Sequence, residues 1–114
     1  MTKTNTPDSH VLIEFPADDP ERALAFWRGV LGLSLAPRGA GEGAGWEADL
    51  GGARLGVHER GTGPGDTVSL PYLAVDDMAS TLARVVEHGG EVIHPGEQWA
   101  ICRDSEGSPF ALSA

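Results

Sequence analysis

The segment VDDMASTLARVVEHGGEVI, residues 75–93, decides the fold, because the chain has already used the same pattern once. The earlier copy is ADDPERALAFWRGVLGLSL, residues 17–35, and a constant shift of 58 residues superposes the two. In each copy a pair of aspartates precedes an apolar stripe at helical spacing, and a glycine ends the stripe. Each copy is therefore predicted to be a helix that starts at an aspartate cap and stops at a glycine.

The paired aspartates allow two interpretations. Asp18 and Asp19 in the first copy, like Asp76 and Asp77 in the second, can cap a helix or can form a catalytic carboxylate pair. A catalytic pair would have to occur at two helix starts, where a cap alone already explains the residues. We favour helix caps.

The segments around the helices predict strands. β-Branched and apolar runs (HVLIEF from residue 10, VSLPYLAV from residue 68) precede the helices, and three further strand candidates follow each helix. RGAGEGAG, residues 38–45, is interpreted as a flexible connection, and residues 1–9 as a disordered leader. The order strand–helix–three strands thus occurs twice in one α+β domain, residues 10–114. Module one covers 10–59, a Gly-rich linker 60–66, and module two 67–114.

Composition excludes several classes of protein. The chain has 17 acidic and 8 basic residues, a net charge of −9, so a nucleic-acid-binding surface is not expected. No apolar run reaches the roughly 20 residues that span a bilayer, so no membrane partner is expected. The single cysteine, Cys102, rules out an internal disulfide and suits a reducing cytoplasm. An acidic surface attracts cations, including cationic small molecules.

Two motifs carry a resemblance to a known superfamily. DDPERALAFWRGVLGL, from residue 18, and RDSEGSPFAL, from residue 103, are similar to the first helix and the last turn and strand of the vicinal oxygen chelate superfamily. That superfamily includes glyoxalase I, extradiol dioxygenases, fosfomycin-resistance enzymes and bleomycin-resistance proteins. The resemblance implies two βαβββ modules whose mixed sheet curls into a cup, with the helices outside, the site inside and a homodimer as the expected assembly.

The resemblance also implies where a metal would bind. Metal-dependent relatives carry His, Gln or Glu at four strand positions, which correspond here to Leu12, Gly56, Leu70 and Ala111. None of these side chains can donate an electron pair to a metal, so no metal and no cofactor are predicted. A strand slip of two residues would offer His10 or Glu14 together with His58. That leaves a divalent metal on non-standard ligands as the alternative.

Strand alternation and the resemblance give the predicted lining of the cup, which consists of Glu14, Trp46, His58, Tyr72, Trp99 and Ile101. Such a lining suits a small organic ligand with a few polar groups. Glu14 inside a cavity would need a partner, either His58 or a cationic ligand; an exposed edge position is the alternative. His58 at a strand end can be solvated. Sheet packing is favoured for Trp46 and Trp99 over stacking on a ligand.

Two functions remain open at this point. The first is a metal-free protein, like the bleomycin-resistance proteins, that binds a cationic or aromatic small molecule by sequestration or sensing and could confer antibiotic resistance. The second is a lyase or dioxygenase-type enzyme of the same superfamily. Its catalysis would use non-standard metal ligands or an acid–base pair of Glu14 and His58.

Overall fold

The computed structural model describes residues 11–40, 43–63 and 65–114. The predicted leader and His10 lie outside the described residues. The elements follow the predicted order, strand–helix–three strands in each half. They are β1 (Val11–Ala17), α1 (Pro20–Leu31), β2 (Ala36–Pro37), β3 (Trp46–Asp49), β4 (Arg54–Glu59), β5 (Leu70–Ala74), α2 (Met78–Glu87), β6 (Glu91–His94), β7 (Trp99–Arg103) and β8 (Pro109–Ser113).

The strands form one mixed sheet in the order β2-β3-β4-β1-β5-β8-β7-β6. Within each module the first strand pairs in parallel with the last, β1 with β4 and β5 with β8. The two first strands, β1 and β5, pair with each other in antiparallel fashion and so join the modules at the centre of the sheet. The predicted α+β architecture of two βαβββ modules is confirmed.

The helix ends confirm the interpretation of the aspartates as caps. The carboxylate of Asp19 accepts a hydrogen bond from the backbone N–H of Arg22 at 3.2 Å, and Asp77 accepts one from Ser80 at 3.1 Å. α1 ends at Gly32, whose φ of 69° is left-handed and therefore favours glycine. α2 instead ends at Glu87 with His88 as its C-cap, two residues earlier in the repeat, and the left-handed Gly89 follows. The repeat in the sequence thus sets the helix starts, whereas the helix ends differ.

Two clusters of apolar side chains pack around the helices, one for each module. The first contains Ala17, Leu55 and Val57, packed against Leu24 and Trp27 of α1. The second contains Met78, Ala100, Cys102 and Leu112, packed against Leu82 of α2. Both helices cover the same face of the sheet through these clusters. The opposite face of the sheet is the one that neither helix covers, and it is called the cup below.

Candidate functional site

Strand register determines which side chains enter the cup. Glu14 of β1 lies opposite Gly56 of β4 and Leu70 of β5, and Gly56 lies opposite Glu47 of β3. Residues directly opposite one another share a face of the sheet. Val57, the neighbour of Gly56, belongs to the helix-side cluster, so these four residues point away from the helices and into the cup.

The side chain of Arg38 lies at the centre of the polar half of the cup. Arg38 follows β2 directly in the chain, and its side chain is only 7% exposed. Its Nε donates to Glu47 Oε2 at 2.7 Å, its Nη1 to the carbonyl of Ala44 at 2.9 Å, and its Nη2 to Glu14. Each nitrogen of the guanidinium thus has an acceptor, which is what a buried cation requires.

Glu14 also holds His58 in place. The Nδ1 atom of His58 lies 3.0 Å from Glu14 Oε1, and the imidazole is 14% exposed. With the proton on Nδ1, the ring donates to the carboxylate and leaves a lone pair on Nε2. That Nε2 atom is buried and has no hydrogen-bond partner among the residues that the structure describes. Glu14 therefore has the partner that was predicted, together with a second one, Arg38.

The module-two half of the cup is apolar. Leu70, Ile101 and Ala111 form a buried cluster against which Tyr72 packs. The linker crosses this cluster at Gly65, where an added Cβ would lie 2.8 Å from Ile101 Cδ1 and 3.3 Å from the Tyr72 hydroxyl. The linker backbone therefore lies directly against the apolar cluster, and a side chain at this position would have to displace the end of the Ile101 side chain.

A cavity of about 370 Å³ lies where the polar and apolar halves meet. It is lined by Glu14, Arg38, Ala44, His58, Glu59, Asp66 and Tyr72. A larger cavity of about 510 Å³ beside α2 is lined mainly by apolar residues such as Met78, Leu82 and Pro95. The cup cavity is the better candidate site, because ligand sites combine apolar surface with a few converging polar groups.

Tyr72 contributes a phenol to this cavity. Burial raises the pKa of Tyr72 above its ordinary value of 10.0, the nearby carboxylates of Glu14 and Asp66 raise it further, and the charge of Arg38 opposes them. The hydroxyl therefore keeps its proton well into the alkaline range and can donate a hydrogen bond to a ligand.

The other predicted lining residues do not line this cavity. Ile101 points into the cup but belongs to its apolar cluster. Trp99 lies on the same face at the end of β7, where it is 44% exposed and its ring stacks on His94 with centroids 4.9 Å apart. Trp46 lies opposite Val57 and thus on the helix-covered face, so its assignment to the cup lining is corrected.

Several residues of the site were missed in the sequence. Arg38 and Ala44 belong to the segment interpreted as a flexible connection, and nothing in its composition indicates that the arginine folds inward. Glu47 could have been found, since the hairpin of β3 and β4 places it opposite Gly56 once the turn at residues 51–52 is fixed. Asp66 belongs to the linker and approaches Tyr72 only in the folded chain.

The cup does not fit the divalent metal of metal-dependent relatives. Leu12, Gly56, Leu70 and Ala111 offer no donor atoms. The carboxylate of Glu14 is occupied by Arg38 and His58. Across residues 11–40, 43–63 and 65–114, no three His, Cys, Asp or Glu side chains converge on a point that could hold a metal ion.

Neither helix in the described part of the chain has the length and apolar character needed to cross a membrane.

Comparison with solved structures supports the fold. The chain is 13% identical to an NAD-dependent benzaldehyde dehydrogenase from Legionella pneumophila. The superposition covers 90% of this chain and 96% of the dehydrogenase, with a TM-score of 0.69. It is 18% identical to a glyoxalase/bleomycin resistance protein/dioxygenase superfamily member from Vibrio splendidus 12B01 (90% and 95% covered, TM-score 0.60). Methylmalonyl-CoA epimerase from Mycobacterium tuberculosis is 15% identical, and the superposition covers 92% of this chain and 85% of the epimerase with a TM-score of 0.59. At these identities the likeness shows the fold alone.

No curated protein is significantly similar to the chain in sequence. The model of the glyoxalase-like domain, in contrast, matches residues 10–113, which is nearly the whole chain. The two βαβββ modules and the cup between them agree with that match. The chain therefore belongs to the glyoxalase-like domain family.

Proposed function

We propose that this protein binds a small organic molecule, without a metal, in the cavity between the two halves of the cup. The observation that carries the proposal is the buried Nε2 atom of His58, which has no partner among the described residues. Glu14 fixes the other ring nitrogen, and an unpartnered buried polar atom costs free energy that a ligand hydrogen bond would recover.

The charges around the cavity favour a cationic ligand. Glu14, Glu59 and Asp66 bring three carboxylates to its wall, whereas the one guanidinium there, Arg38, is already bound to Glu14 and Glu47. The ring of Tyr72 adds an aromatic surface that can contact a cation or a planar group. The proposed ligand is an amine or guanidine with an aromatic part, bound by sequestration, as an antibiotic would be, or by sensing.

Calorimetric titration with aromatic amines and with their neutral isosteres tests this proposal. Glu59→Gln removes one carboxylate of the cavity wall and should weaken binding of the amine by roughly two- to five-fold, with little effect on the neutral isostere. Glu106→Gln is the matched control, because it makes the same charge change on the exposed β7–β8 turn. Equal affinity for amines and neutral isosteres, or equal effects of the two variants, would contradict a cationic ligand.

A second candidate function is acid–base catalysis by the pair of Glu14 and His58. The supporting observation is their 3.0 Å contact, since a carboxylate that orients an imidazole leaves the opposite nitrogen free to take a proton. Exchange of solvent deuterium into a bound carbon acid, followed by NMR, tests this role. His58→Gln should abolish exchange and leave binding detectable; exchange that persists in this variant would rule out His58 as the base.

Two expectations from the sequence remain proposals. A homodimer is supported by the apolar side chains that α1 leaves exposed, among them Phe26 and Val30, each 57% exposed. Sedimentation equilibrium distinguishes a dimer from a monomer. A cytoplasmic location is supported by the single, buried, reduced Cys102, and fractionation of the native host tests it.

A further inference from the structure

Gly56 and Arg38 occupy the same part of the cup. Gly56 stands where, by resemblance, metal-dependent relatives carry a ligand. A Cβ atom added at Gly56 would collide with Arg38 Nη2 and would lie 3.0 Å from the carboxyl carbon of Glu14. The guanidinium therefore fills the space that a ligand side chain at position 56 would occupy.

The charges around Arg38 resemble those around a bound cation. Carboxylates from two strands, Glu14 of β1 and Glu47 of β3, converge on one edge of the guanidinium, and both side chains are largely buried. His58 is attached to the same arrangement through Glu14. Two buried carboxylates so close together would repel each other without a positive charge between them. Arg38 supplies that charge from within the chain.

We propose that Arg38 takes the place of the divalent metal in this cup. The guanidinium is a permanent cation that holds Glu14 and Glu47 apart at fixed positions and, through Glu14, orients His58 towards the cavity. Arg38 is therefore a positioning residue, and all three of its nitrogens are occupied by protein acceptors. This inference rests on the proposed metal-free function and explains how the site is held together without a metal.

The test is to exchange the internal cation for a metal. Arg38→Ala together with Gly56→His removes the guanidinium and adds an imidazole in the space it leaves. Glu14, Glu47 and the new side chain then offer carboxylate and imidazole donors that suit Zn²⁺ or Ni²⁺. We expect the double variant to bind close to one metal ion per chain by elemental analysis, with a melting temperature that rises when the metal is added.

The matched control combines Arg54→Ala with Gly56→His. Arg54 also contacts Glu47 but is 34% exposed, and this variant keeps Arg38 in place. The added imidazole should then collide with the guanidinium, so the control should have a lower melting temperature and bind no metal. Metal binding by both double variants, or by neither, would overturn the role assigned to Arg38. Folding of the Arg38 variant only in the presence of metal counts in favour.

Arg38→Lys provides a second measurement that does not need a new site. A single ammonium retains the charge but cannot serve Glu14, Glu47 and the Ala44 carbonyl in the same planar geometry. NMR shifts of the His58 ring nitrogens should then show loss of the single Nδ1-protonated tautomer. Unchanged shifts would refute the positioning role. Metal bound to the wild-type protein would instead refute the metal-free proposal, so the two failures are distinguishable.

Discussion

Glu14 and Tyr72 are 58 residues apart in the sequence, occupy equivalent positions in the two modules, and line the same cavity. Glu14 lies opposite Gly56 and Leu70, and Tyr72 lies opposite Ala111 and Leu12. The pseudosymmetric sheet thus presents a carboxylate from one module and a phenol from the other to one space. This asymmetry divides the cup into a half that is filled by ion pairs and a half that is apolar.

Loss of Arg38 should be costly to stability. Arg38→Ala leaves the buried carboxylates of Glu14 and Glu47 without their shared cation, and breaking a buried pair in this way costs about 3–5 kcal/mol. Urea denaturation measures the free energy of unfolding. Arg22→Ala is the control, because Arg22 is exposed and its contact to Asp19 is long, at 3.9 Å; it should change stability by less than about 0.5 kcal/mol. Similar losses for the two variants would contradict the buried network.

A side chain at Gly65 should destabilise the protein slightly. In Gly65→Ala the new Cβ would lie 2.8 Å from Ile101 Cδ1, so the end of the Ile101 side chain must rotate away from its preferred position, at a cost of about 0.5–1.5 kcal/mol. Gly29→Ala is the matched control, since nothing lies within 4 Å of its Cβ position in α1. That change should stabilise the protein by about 0.5–1 kcal/mol. Thermal unfolding of both variants tests the contact, and a stabilised Gly65→Ala would show that the linker does not cover the cluster.

Tyr72 gives stability a dependence on alkaline pH. Its folded-state pKa lies above the ordinary value of 10.0, so the folded chain keeps the phenol proton to higher pH than the unfolded chain does. The contribution of the protonated Tyr72 hydroxyl to the free energy of unfolding is fully present below pH 10.0, and it is lost as the pH rises through the folded-state pKa. Tyr72→Phe should remove this part of the pH dependence. Because Tyr72 is the only tyrosine, tyrosinate absorbance reports it alone, and a midpoint at or below 10.0 in the folded protein would contradict its burial beside Glu14 and Asp66.

The two helix caps should contribute equally and independently. Asp19→Ala and Asp77→Ala each remove a carboxylate that accepts a first-turn N–H, and each should cost about 1 kcal/mol. The double variant should lose close to the sum, because the caps belong to different modules. Asp76→Ala is the control, as the exposed Asp76 precedes the cap and should have little effect. Chemical denaturation that ranks Asp76 with Asp77 would contradict the assignment of the cap.

Most of the fold could be predicted from the sequence, because it depends on local signals that occur twice. An aspartate before an apolar helical stripe and a glycine after it define both helices, and β-branched runs define β1 and β5. Alternation along β1, β4 and β5, with the inward face taken from the family resemblance, also placed Glu14, His58 and Tyr72 on the same face. The helix and strand predictions need only the neighbouring residues of the chain, which is why they agree with the structure.

Tertiary structure decided how the cup is filled. Arg38 follows an edge strand in a Gly-rich segment, and its guanidinium reaches Glu14 only because β2, β3, β4 and β1 lie side by side in the sheet. Trp46 likewise takes the helix-covered face because of its register with Val57. The sequence by itself determined the two modules and the apolar side chains or glycine at the four positions where, by resemblance, metal-dependent relatives carry ligands. Only the folded sheet decided that an internal cation occupies the space at Gly56, since long-range pairing of charges depends on strand order and not on local sequence.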